Sequence, residues 1–413
     1  MASDTEAARA AATIAPGLTD LISLADPATI TDPYPLYARM RQASPFTELD
    51  GKLVVVGRYE DCSRILRDPR SSSQRDRSAM APGETERRGR ARSFLSLDPP
   101  DHTRLRRLVA KAFTARTVAR LAPRITELTS ELLDAAGTEF ELVSQLAYPL
   151  PVQIISELLG VPPEDHATFA GWSARLAHSV QPSFGTADPA ETAEADRAAA
   201  EFREYFTGLI AARRSSRGDD LLSELIEAED EGERLTIGEL IATCVLLLVA
   251  GHETTVGLIS NAMLALLRNP AQLAALTADP GLAAAAVEET LRFDSPVQLT
   301  ARIATGGMSL GGTVFNDGAI LLLLLAAAGR DETVFPDADV FDIRRTGAEH
   351  LAFAAGPHFC LGAPLARLEA TIALRAIAAR VVDPQLDESE LLYKSNYNLR
   401  GPERMVIRSS RVR

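Results

Sequence analysis

The sequence is short of the residues that mark several whole classes of protein. Its 413 residues include three cysteines, six histidines and one tryptophan, and only 5% are aromatic. Cys62, Cys244 and Cys360 are odd in number and far apart, which excludes a disulfide framework and suits a reducing compartment. No Cys-x-x-Cys pair and no His-Glu-x-x-His run occurs, so the common zinc patterns are missing. Basic residues are the minority, 43 against 56 acidic ones, for a net charge of −13. That sign opposes nucleic-acid binding, and any basic patch has to be local. The longest apolar stretches, 241–250 and 319–328, are ten residues each, about half of the ~20 that cross a bilayer. Residues 1–18 are Ala-rich but carry Asp4, Glu6 and Arg9, and so lack the basic start and apolar centre of a signal peptide. The expectation is a cytoplasmic protein with no membrane and no nucleic-acid partner.

What is present supports a large folded core, since 46% of residues are hydrophobic. Helical periodicity predicts helices over 35–43, 59–67, 101–113, 117–136, 152–159, 191–214, 236–267, 271–277, 282–293 and 364–381. Strand signals are short: 46–48 with 53–56 around Asp50-Gly51 as a hairpin, then 297–304, 308–310, 313–315 and 405–407. The fold class is mainly α with small β-sheets, and no repeat of fixed period occurs. Two irregular stretches, 71–92 and 178–189, have the length of lids or binding loops, and composition leaves a solvated surface excursion equally open.

The longest helical segment opens on Thr236 and Glu239, spaced as a capping box, and its apolar run implies burial on most sides. Gly251, His252, Glu253, Thr254 and Thr255 then interrupt the pattern before Val256 resumes it. A polar cluster in mid-core marks either a functional site or a satisfied structural kink. Cys360 lies in Phe353-Ala-Ala-Gly356-Pro-His358-Phe-Cys360-Leu-Gly362-Ala-Pro364, a glycine-bounded loop leading into a helix. There the helix N-terminus favours a thiolate, and the glycines let backbone approach a large flat group. Cys62 and Cys244 read as small core residues. A hydrolytic nucleophile is the rival for Cys360, but His358 is too close in sequence to serve as its base and nothing nearby completes a triad.

Phe353, Gly356, His358, Cys360 and Gly362 match every fixed position of Phe-x-x-Gly-x-His/Arg-x-Cys-x-Gly, and the chain thereby resembles the cytochrome P450 family of haem-thiolate monooxygenases. Glu289 and Arg292 look like that family's Glu-x-x-Arg pair, with Arg345 as the completing arginine. Ala250-Gly251-His252-Glu253-Thr254-Thr255 looks like its oxygen-activation motif. With Asp98-Pro-Pro-Asp-His102-Thr-Arg-Leu-Arg106, the likeness runs from about residue 32 to the C-terminus, in the soluble bacterial pattern of actinomycete secondary metabolism. It implies one domain over 1–413, with 1–31 a separate N-terminal segment, and a cytochrome P450 fold holding haem between the long central helix and the cysteine loop. Two departures stand out: Ala354 where relatives often have Gly, and Gly329 before Arg330-Asp331 where many have Asn.

The resemblance implies haem b with Cys360 as the axial thiolate and metal ligand, and dioxygen as co-substrate. Haem propionates need cationic or hydrogen-bonding partners when buried. His102 and Arg106, one helical turn apart, Arg302 and His358 are the expected ones. Ala250, Gly251 and Thr254 share a helix face with Leu247, which the resemblance sets over the distal side, with Thr254 orienting a water and Glu253 relaying protons. Glu289 and Arg292 are expected to be structural. The implied activity is hydroxylation or epoxidation of a medium-to-large hydrophobic natural product such as a polyketide or macrolide, in antibiotic biosynthesis. Its runner-up is a non-oxygenating haem protein of the same fold, acting as a binding or recruitment module. Candidate pocket segments are 71–92, 178–189, 246–250, 295–299 and 395–399. Electrons are expected from a ferredoxin and ferredoxin reductase, docking on a local basic patch of Arg104, Arg107, Lys111, Arg116, Arg120 and Arg367.

Overall fold

The computed structural model describes residues 16–80, 92–177, 189–230 and 232–413. Residues 1–15 of the expected N-terminal segment, the middle of the 71–92 loop and all but the last residue of the 178–189 lid lie outside the described residues. Helices dominate, as expected. Those that frame the site are α1 (Tyr59–Arg67), α2 (Asp101–Ala112), α3 (Ala122–Asp134), α4 (Pro149–Leu158), α5 (Pro189–Ser215), α6 (Ile237–Arg268), α7 (Ala283–Phe293) and α8 (Ala363–Arg380). The expected helix over 117–136 is two helices, because Leu121 ends Ala115–Arg120 and Pro123 takes an N-terminal position of α3, where a missing N–H costs nothing.

α6 organises the core. Its N-terminus is a true capping box: Glu239 N–H donates to Thr236 Oγ1 at 3.2 Å and Thr236 N–H donates to Glu239 Oε2 at 2.8 Å. The helix runs 32 residues without interruption, through the polar cluster as well as the apolar run. By length and composition it could cross a membrane, yet half of its most apolar stretch is buried inside the fold. It packs on α4, α7 and α8, as the central helix of a folded core does.

The main sheet has the order β1-β2-β5-β4-β3, from β1 (Phe46–Glu48), β2 (Leu53–Val56), β3 (Ser71–Ser72), β4 (Thr300–Ala304) and β5 (Ile320–Leu323). The hairpin between β1 and β2 is as expected, with Leu49, Asp50 and Gly51 all left-handed at its tip. β2 is buried along its whole length and pairs in parallel with β5, which is why both are continuous apolar runs rather than alternating ones. β5 was not expected. It lies inside the 319–328 apolar stretch, which splits into a strand and a short helix (Leu325–Ala328), and periodicity cannot divide such a run.

α7 is tied to the segment before the cysteine loop by one buried ion network. Glu289 accepts from Arg292 Nε and Nη2 at 2.7 Å each, from the Asp342 N–H at 2.9 Å and from Arg345 Nε at 3.2 Å. Arg292 in turn donates to the carbonyls of Gly329 and Ala338 at 2.9 and 2.7 Å. Gly329 has its reason here: a Cβ at that position would stand 2.3 Å from the Arg292 carbonyl oxygen.

Candidate haem-thiolate site

Cys360 ends a tight loop whose shape is set by backbone. Its N–H donates to the Phe353 carbonyl at 3.0 Å, and Gly362, two residues on, is the N-cap of α8. Gly356 has φ +68°, and a Cβ there would come within 2.5 Å of the Leu66 carbonyl, so only glycine lets α1 pass this closely. Ala354 has φ 56°, a left-handed conformation that an alanine holds under strain. Cys62 and Cys244 are fully buried, and burial pushes both thiols well above the ordinary range. Cys360 alone is accessible. Protein nonetheless packs around it, and that burial raises its thiol too, opposed by the Gly362 and Ala363 N–H groups and by the charges of Arg106 and Arg367.

α6 contributes an unexpected pattern of exposure. Ala250 and Gly251 are exposed while Leu248, Val249, His252 and Thr255 around them are buried. Exposure of two neighbours within an otherwise buried stretch marks a local gap in the packing around α6. Thr254 Oγ1 donates to the Ala250 carbonyl and Thr255 Oγ1 to the Gly251 carbonyl, each at 2.9 Å. The hydroxyls bond back to the preceding turn without ending the helix.

Glu253 sits beside them, mostly buried, with His252 Nε2 at 3.3 Å and Lys394 paired to its other oxygen. Burial alone would raise this carboxyl, but the hydrogen bond from His252 and the charge of Lys394 outweigh it and hold it down at about 2. Lys394 was invisible to sequence reasoning, since no pattern connects it to Glu253. The 295–299 and 395–399 segments are joined, through a Val297 to Leu399 bridge and the Leu299 N–H donating to Asn398 Oδ1 at 3.2 Å.

Four expected cationic residues come together. The His102 and His358 rings lie 4.1 Å apart, and Arg106 donates to the Phe359 carbonyl at 2.6 Å. Among the described residues, Arg302 bonds only neutral oxygens, those of Thr300 and Ala301, at 3.2 and 2.8 Å. Both ring nitrogens of His102 are buried without a hydrogen-bond partner among the described residues. Burial, then the charges of Arg302 and His102, pull His358 down to about 3. Burial brings Arg302 down to about 10 even though the Asp98 charge opposes it. His102 and Arg302 are buried and Arg106 and His358 half-buried, and a set of donors that discourage one another's charge suits an anionic group such as the two carboxylates of a flat macrocycle. The accessible Cys360 thiol is the cysteine that could hold such a group's metal. No cluster of three or more His, Cys, Asp or Glu able to hold a metal ion occurs among the described residues.

The expected basic patch is thinner than the sequence suggested. Arg104 pairs with Glu239 and Glu233, Arg120 with Glu224, and Arg367 with Glu288. These acids come from distant parts of the chain, so the charge count of α2 alone could not reveal the neutralisation.

The cytochrome P450 family model matches residues 184–279 and 281–380. The cytochrome P450 monooxygenase PikC of Streptomyces venezuelae is 45% identical over 395 residues, which is 92% of this chain and 92% of that one. The 6-deoxyerythronolide B hydroxylase of Saccharopolyspora erythraea is 35% identical, over 91% of this chain and 96% of its own length. Ligand-free CYP164A2 of Mycobacterium smegmatis superposes with a TM-score of 0.88 at 48% identity, over 94% of this chain and 99% of that one.

Proposed function

The chain belongs to the cytochrome P450 family, the haem-thiolate monooxygenases that use dioxygen, and from that membership we propose that it hydroxylates or epoxidises a medium-to-large hydrophobic natural product of the polyketide or macrolide kind. The observation that carries the reading is the exposed Ala250–Gly251 gap with the acid and alcohol of Glu253 and Thr254 directly beside it. A non-oxygenating binding module has no use for that pair. The substrate class rests on a relative whose name states hydroxylation of 6-deoxyerythronolide B.

Bound haem supplies reductive cleavage of dioxygen, one atom entering the substrate and the other leaving as water. Cys360 would hold the iron. His102, Arg106, Arg302 and His358 would hold the propionates, and Phe353, Gly356 and Gly362 shape the cysteine loop. The methyl of Ala250 and the bare Cα of Gly251 would leave room for a small molecule beside Thr254. Thr254 Oγ1, already bonded to the Ala250 carbonyl, orients a water that carries the proton. Glu253 passes protons inward from solvent when its pairing with Lys394 loosens, since a carboxyl held at about 2 is a weak proton acceptor and seldom carries a proton while paired. Electrons come from a ferredoxin and its reductase. A screen of macrolactones, sterols and fatty acids by shift of the haem Soret band tests the substrate class. Macrolactones are expected to shift the band and yield oxygenated product, and shifts by sterols or fatty acids alone would overturn that class.

A further inference from the structure

Arg367, seven residues after Cys360, has an acidic partner that docking does not explain. Its Nε and Nη2 donate to the two oxygens of Glu288 at 2.7 and 2.9 Å, a fork-to-fork arrangement that fixes the guanidinium plane. His350 Nε2 meets the same carboxylate at 3.2 Å. Its Nδ1 accepts from the Ala352 N–H at 3.2 Å, so Nε2 carries the proton toward Glu288. The guanidinium carbon lies 4.6 Å from the centre of the Phe353 ring, and the His350 ring is 5.7 Å from it. The Phe353 carbonyl accepts from the Cys360 N–H. Acid, histidine, arginine and aromatic thus form one chain of contacts from α7 to the ligand loop.

The pair adds little to stability, because its side chains are 37% and 45% exposed. Its placement is another matter, since the Arg367 guanidinium lies over the Phe353 ring, the Phe353 carbonyl holds the Cys360 N–H, and Glu288 faces that guanidinium. We propose that Arg367, held in place by Glu288 and His350, is a positioning residue that sets the reduction potential of the Cys360-ligated haem, with Glu288 moderating it. The proposal rests on the haem-thiolate reading. A fixed cation near the thiolate favours the form of the centre that holds one more electron, and a fixed anion disfavours it.

The test is the midpoint potential of the haem-loaded, substrate-free protein by spectroelectrochemical titration. Arg367→Gln should lower it and Glu288→Gln should raise it, each changing the ferrous-to-ferric ratio at fixed applied potential by about threefold or more. Arg367→Lys keeps the charge and should stay nearest to wild type, with all three thermal midpoints nearly unchanged. Breaking a purely structural ion pair from either side would move both glutamine variants the same way or not at all, and that result overturns the proposal. Unmoved potentials with slowed reduction by ferredoxin also overturn it, assigning Arg367 to docking instead. The Soret band of the wild-type ferrous carbon monoxide complex reports the underlying reading separately. An unshifted band refutes haem-thiolate ligation and this proposal with it, whereas a red-shifted band with unmoved potentials refutes this proposal alone.

Discussion

The ammonium of Lys394 pairs with the carboxylate of Glu253 across 141 residues of chain, joining the C-terminal segment to the middle of the central helix. This pair makes acid stability a readout of the site. Glu253 is depressed from an ordinary 4.5 to about 2, so its stabilising contribution is present above the unfolded value and fades as pH falls from about 4.5 toward 2. Lys394→Met should therefore lower the thermal midpoint most at neutral pH, with the gap to wild type closing across that window. A gap that stays constant with pH would show that the pair does not set the carboxyl. Glu253→Gln removes the titrating group itself and should slow turnover by roughly 100-fold, the usual worth of a positioned proton relay.

Thr254→Ala separates an enzyme from a structural kink. The lost hydroxyl made one bond to the Ala250 carbonyl, and such a bond contributes only about 0.5–1.5 kcal/mol. Haem content and the substrate-induced Soret shift should be kept. Nicotinamide consumption should continue while product falls and hydrogen peroxide appears in its place. Full coupling of electrons to product in this variant would remove Thr254 from the proton path.

Cys360→His should retain some haem and lose the red-shifted band of the ferrous carbon monoxide complex. Cys62→Ser and Cys244→Ser keep that band, because both thiols are sealed in the core. Loss of the band in either of these would move the ligand assignment away from Cys360.

The elements that carry the site were legible because their signals are local. The α6 capping box needs only Thr236 and Glu239, and the cysteine loop is a single contiguous motif. The Glu289–Arg292 pair also lies within one helix, and Arg345, its third member, was found through the resemblance rather than through spacing. What stayed hidden was tertiary. Lys394 on Glu253 and Glu288 on Arg367 are meetings of distant segments, and nothing in a single sequence links them. The β5 strand was missed for a different reason: an apolar run buried on both faces has no period, so strand and helix look alike until a neighbour such as β2 is known.

The cysteine loop itself offers the last test, because two of its residues share a left-handed backbone and differ in side chain. Ala354 has φ 56° and Gly356 has φ +68°. An L-residue held there is strained by about 1–2 kcal/mol, and a glycine relieves the strain while losing about 0.4–1 kcal/mol to a freer unfolded chain. Ala354→Gly should then stabilise the protein by up to about 1.6 kcal/mol, seen as a higher denaturation midpoint with unchanged slope. Gly356→Ala faces the same strain and a second obstacle. The new methyl would stand 2.5 Å from the Leu66 carbonyl and 3.1 Å from the Arg67 Cα, both backbone atoms that cannot turn aside. The loop or α1 has to move, and a loop that moves carries Cys360 with it. This variant should lose about 2 kcal/mol or more and show a diminished red-shifted carbon monoxide band per mole of protein. Equal effects of the two substitutions would mean that backbone strain alone governs the loop. A large loss confined to Gly356→Ala shows that the close passage of α1 holds the ligand in place.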